Sequence, residues 1–184
     1  MNPRKKFYSL LIILALTAFA TSCATTKANK FIDEGNAAVK DGEKLAQDAD
    51  AQLTKLGEGR ANFPANRDEL KGTAQEAIDL LDKAIAKLRE GATKFDEGSK
   101  TNLDAPLKEY LSLKSQEFSK HAEHLEVLKD LPKAFMDPSV QDNAALDARF
   151  APIKERVEKL QQEWTDLATR ADKIQEQNKD KFKS

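Results

Sequence analysis

Apolar side chains in this chain recur at alternating spacings of three and four residues, in four long stretches separated by breaks built on glycine or proline. That spacing keeps one face of an α-helix apolar and gives a strand no consistent face, so helices packed face to face are the structure that buries it. The first stretch runs from about Lys30 to Leu56, on Ile32, Gly35, Val39, Gly42, Ala46, Ala49, Leu53 and Leu56. Gly57-Glu58-Gly59 is expected to end it in a left-handed C-cap, and Phe63-Pro64 keeps the following loop out of helix. The second spans about Arg67 to Ser99, on Leu70, Ala74, Ala77, Leu81, Ala84, Leu88, Gly91 and Phe95. The third spans about Pro106 to Leu131, with Lys114 and His121 bordering its apolar stripe. The fourth is the most regular, holding its seam from Leu146 through Phe150, Ile153, Val157, Leu160, Trp164, Leu167 and Ala171 to Ile174. Pro152 lies inside this last pattern and predicts a kink or a helix start there.

At a rise of about 1.5 Å per residue these stretches are roughly 40 to 50 Å long. Long helices joined by short connections fold back on one another, so the expected architecture is all-α: an antiparallel up-down four-helix bundle with long helices, over residues 30–184. Leu81, Leu88, Phe118, Leu125, Val157, Leu160, Trp164 and Leu167 are its expected core. The Ala- and Gly-rich seams of the first two stretches predict closely spaced helix axes, with the larger side chains of the other two filling the space opposite.

The amino terminus carries a different signal. Arg4, Lys5 and Lys6 precede an apolar run from Phe7 to Ala20, followed by Ala20-Thr21-Ser22-Cys23. The run is shorter than the roughly 20 residues that a membrane-spanning helix needs, and a basic start with a small-residue cleavage zone has the form of a secretory signal. Ala18-Phe19-Ala20 also fits an ordinary cleavage site, which would leave Cys23 as a free thiol. Cys23 is the only cysteine in the chain. Its position resembles the lipobox of bacterial lipoproteins, where the cysteine becomes the lipidated N-terminus. That resemblance implies a signal peptide over residues 1–22, lipidation at Cys23 and a short tether over 23–29. Such lipidation attaches the chain to the membrane stably, because two or more acyl chains suffice for anchoring. Ala24 in the following position, where Asp is the usual inner-membrane retention signal, implies the outer membrane, facing the periplasm.

Composition narrows the function classes. Losing residues 1–22 removes three of the 30 basic residues and none of the 31 acidic ones, leaving a net charge of −4 with no basic block. Nucleic acid is therefore not an expected partner. Neither a nucleophile elbow nor a glycine-rich phosphate loop is present, and no enzymatic activity or cofactor is expected. The weak metal candidates are Glu117, His121 and His124, which spacings of four and three place on one helix side. Neither histidine has a Glu three residues before it, as the di-metal carboxylate bundles require, so no metal is expected. The loop over 130–142 is unusually apolar, and Phe135, Met136 and Val140 either cap the bundle end or bind a partner. Together these features describe a non-enzymatic, lipid-anchored envelope protein that works through protein–protein or cell-wall contacts, as a scaffold or in envelope maintenance. The alternative is a helical bundle that binds a small ligand or a metal.

Overall fold

The computed structural model describes residues 23–182, so the expected signal segment lies outside the described residues, as does the side chain of Cys23. Within them the chain is all-helical: α1 Cys23–Gly59, a 3-10 turn Arg60–Asn62, α2 Arg67–Ser99, α3 Ala105–Leu128, α4 Asp130–Met136, α5 Asn143–Gln177 and a final turn α6 Lys179–Phe182. None of these helices is long and apolar enough to cross a membrane. Packing runs in chain order: α1 lies along α2, α2 along α3, and α3 along α5, with α4 wedged between α2 and α5. α1 and α5 do not pack along each other.

Small residues set the closest of these contacts. Ala49, Ala77 and Ala84 are fully buried, and Gly35 on α1 meets Gly91 and Phe95 on α2. A Cβ on Gly91 would lie 2.6 Å from Val39 Cγ2 and 3.1 Å from the Gly35 carbonyl oxygen, so the two backbones approach only because neither residue has a side chain. Gly42 stands against Ala84 and Leu88 in the same way. The close packing expected from the glycines is thus present at Gly35, Gly42 and Gly91, whereas Gly72 faces open space.

Several helix ends differ from expectation. α1 begins at Cys23, so residues 24–29, expected as a tether, continue the helix; nothing among Ala24, Thr25, Thr26, Lys27, Ala28 and Asn29 breaks one. At its other end no glycine adopts a left-handed conformation. The chain tightens instead into the 3-10 turn, and Asn66 Nδ2 donates to the Gly59 carbonyl at 2.8 Å. Gly59 leaves room there for Leu70, whose Cδ2 would lie 2.5 Å from a Cβ and would have to shift. α5 starts well before Pro152, at an N-cap where Asp142 accepts from the Ala145 N–H at 2.8 Å, and runs through the proline.

Two apolar clusters result. The larger follows the helix lengths from Ile32 and Phe95 to Leu125, and includes the stacked rings of Phe95 and Phe118 at 5.6 Å. The smaller closes one end, where Leu56, Phe63 and Leu70 meet Phe135, Val140, Leu146 and Phe150. Arg60 holds this end together, donating to Asn143 Oδ1 at 3.1 Å and to Asp147 at 2.5 Å with its guanidinium over the Phe150 ring. Of the expected core, Leu81, Leu88, Phe118 and Leu125 are buried, but Val157, Leu160, Trp164 and Leu167 are only half-buried. The most regular seam in the sequence is the least covered in the structure, because α5 has α3 and α4 beside it and no α1.

Candidate functional site

α3 carries two seams. One is the expected apolar stripe of Leu107, Leu111, Phe118, Ala122 and Leu125. The other is Tyr110, Lys114, Glu117, His121 and His124, with spacings of four, three, four and three. That is the same heptad rhythm carried by polar residues, so these five side chains form a continuous line along the helix. Lys114 and Glu117 are 3% and 4% exposed, the only charged residues among the described ones that are fully buried. Their ion pair, Nζ to Oε2, is 2.7 Å, and the Lys114 ammonium also lies 4.6 Å from the centre of the Phe118 ring. Both contacts compensate a charge that is costly to remove from water.

Neighbouring helices add further polar groups. Burial pushes the Glu117 carboxyl up; Lys114 pulls it down, while Asp172 on α5 and Glu43 on α1 push it further up. Glu43 is raised as well, by its own desolvation against the opposing pull of Lys114. Tyr110 is 2% exposed, packs edge-on against Phe182 at 5.1 Å, and its hydroxyl is buried without a hydrogen-bond partner. Burial, with Glu117 and Asp172 nearby, holds that hydroxyl far above the ordinary tyrosine range.

Further along the seam, the His121 ring stacks on Trp164 of α5 at 4.7 Å, with the planes 17° apart. The His124 ring centre is 6.0 Å from that of His121. Desolvation, joined at His121 by the nearby His124, lowers both imidazoles to about 4. His124 Nδ1 and Trp164 Nε1 are buried with no hydrogen-bond partner. Each such orphaned group costs about 1–3 kcal/mol relative to a satisfied one.

The structure therefore gathers Glu117, His121 and His124 on one side of α3, but not around a common point. The Glu117 carboxylate is occupied by Lys114, and among the described residues no three His, Cys, Asp or Glu side chains converge as a metal site would need. Phe135 and Val140 are buried in the end cluster, with Phe135 edge-on to Phe63 at 6.0 Å, and Met136 is half-buried beside them. These residues cap the end of the molecule. An open groove of about 480 Å³ lies between α3 and α5, lined by Lys120, Glu123 and Glu126 of one and Arg156, Lys159 and Glu163 of the other. The sequence alone did not reveal Lys114 as a buried charge, nor Asp172 as a neighbour of Glu117 and Tyr110 across the helix pair. The heptad spacing of the polar residues was the signal that could have found the first.

Comparison with protein-family models, with curated proteins and with solved structures finds no match for this chain.

Proposed function

We propose that this protein is a non-enzymatic helical bundle, held to the bacterial envelope by lipid on Cys23 and acting through contacts with another envelope protein or the cell wall. The observation that carries the reading is the placement of the sole cysteine directly after a basic start and a short apolar run. Ala24 supports an outer-membrane location facing the periplasm. The four long helices are read as an antiparallel up-down bundle, with the α1–α5 side its loose seam; opposed residues such as Gly35 with Phe95 and Gly42 with Ala84 support that order for the first pair. Mass spectrometry of the mature protein tests the anchor. An acylated chain beginning at Cys23 is expected, and Cys23→Ala should move the protein from membrane to soluble fractions. An unmodified chain beginning at Thr21 would overturn the reading.

A second reading, a bundle that binds a small ligand, is favoured by one feature: the orphaned Tyr110, His124 and Trp164 polar atoms on the α3–α5 seam. Cross-linking in intact envelopes separates the two. Recovery of a defined protein or cell-wall adduct supports the first, and a bound small molecule released from the purified protein on denaturation supports the second.

A further inference from the structure

The middle of α5 is attached by unusual means. Its amino-terminal end is fixed in the apolar cap by Leu146 and Phe150, and the chain beyond its other end is pinned by Phe182 on Tyr110. Between them Ile153, Val157, Leu160, Trp164 and Leu167 are all half-buried, and α1 does not pack along this stretch. Pro152 stands at its upper boundary and has no N–H for the Ala148 carbonyl, so the helix is weakest where the capped part ends. The stretch meets α3 through the His121–Trp164 stack, with His124 alongside, and through the Lys120–Glu163 ion pair at 3.4 Å.

We propose that His121 and His124 form an acid-sensitive latch: neutral, they seat Trp164 and hold the middle of α5 against α3, and their protonation releases it. Both rings are half-buried and His124 Nδ1 is enclosed with no acceptor beside it, so a proton on the pair loses solvation, a cost that the attraction of a cation for the Trp164 indole face offsets only in part. The two ring centres are 6.0 Å apart, so a second proton would also meet the first. Arg156 and Lys159 of α5 line the groove beside this seam, and as cations they do not favour a protonated imidazole; the remaining charged groups are paired. On α3, Lys114 pairs with Glu117, and Lys120 with Glu123 and Glu163; on α2, Arg89 pairs with Glu126 and Asp82 with Lys129. Asp172 on α5 and Glu43 on α1 act on Glu117. Burial of the Glu117 and Glu43 carboxyls works in the opposite sense, because protonating a buried carboxyl eases the closed form. The latch is therefore specific to the two imidazoles.

Trp164 is the only tryptophan, so its emission reports this seam directly. In the full-length protein in detergent, lowering the pH from 7.5 to 5 should shift Trp164 emission to the red while helical circular dichroism is kept. Over the same range, intrinsic-rate-corrected amide exchange in residues 153–177 should rise by roughly 30-fold per histidine, with 67–99 unchanged. In the double variant with His121→Gln and His124→Gln both responses should vanish. An acid response of equal size in that variant, or none in the unaltered protein, would overturn the proposal. Should the variant fail to fold, histidine NMR of the unaltered protein decides: apparent imidazole titration below pH 6, moving with α5 exchange, is expected. Titration near 6.5 with α5 still protected would refute the latch.

Discussion

At the scale of single residues the structure separates glycines that the sequence leaves alike. Gly91 and Gly72 both interrupt helical patterns, yet a Cβ at Gly91 runs into Val39 while one at Gly72 meets nothing within 4 Å. Gly72→Ala should stabilise by about 0.5–1 kcal/mol through helix propensity alone. Gly91→Val should cost about 1–3 kcal/mol, since it forces α1 off α2. Urea unfolding of both variants checks the pair, and equal shifts of one sign would mean the α1–α2 approach is wrong. Lys114 and Glu117 make a second contrast. Lys114→Ala leaves a buried carboxylate unpaired and should cost about 3–5 kcal/mol at pH 7, whereas Lys114→Met with Glu117→Leu together should be neutral or stabilising. If the double variant is as unstable as the single one, the pair contributes more than mutual compensation.

Among the elements, α2 is the central one and α5 the outer one. Leu81 on α2 is fully buried and Leu160 on α5 is half-buried. Leu81→Ala should therefore cost about 2–5 kcal/mol and Leu160→Ala roughly half as much, as measured by the same unfolding experiment. The apolar period of α5 predicted its helix well, but period speaks only of which residues share a face. How much of that face is covered depends on which helices lie alongside, and α1 does not lie alongside α5. Something similar holds for the apolar loop over 130–142. Pro132 has no N–H for the Leu128 carbonyl, which breaks the helix near Lys129. The residues that follow then turn as α4, placing Phe135 over Phe63 and Phe150. The local sequence shows the break; the direction of the turn comes from the ring cluster it completes.

For the whole molecule, pH sets a stability window. With folded-state values near 4 and an unfolded value of 6.5, the two histidines leave stability intact above about pH 7. As pH falls toward 4 the unfolded chain takes up protons that the folded chain refuses. Each histidine then withdraws up to about 3 kcal/mol, less for partial exposure, while the raised Glu117 and Glu43 carboxyls partly offset the loss. Chemical denaturation at pH 7.5 and pH 5 should show the folded state weaker at the lower value; equal midpoints would mean the rings are solvated. A lipid on Cys23 would also fix the orientation of the molecule at the membrane. With α1 helical from Cys23, residues 24–29 span roughly 9 Å instead of the roughly 22 Å of an extended tether. The apolar cap lies at the far end of α1, so a probe at the exposed Ser139 should be reachable in membrane-bound protein. Shielding of that probe by lipid would refute the orientation.

Helix content and the four long segments were legible in the sequence because periodicity, proline geometry and capping residues act within a few positions of themselves, whereas the break expected as a loop over 130–142 holds the helix α4. The buried character of Leu81, Leu88, Phe118 and Leu125 was legible for the same reason. The tertiary structure alone decided which polar residues are enclosed. Lys114, Glu117, His121 and His124 would read as a solvated helix side if nothing covered them, and the neighbouring helices, which bring Trp164 and Asp172 from α5 and Glu43 from α1, bury the first two and half-bury the histidines. Burial belongs to both surfaces in a contact, and a sequence period describes one surface at a time.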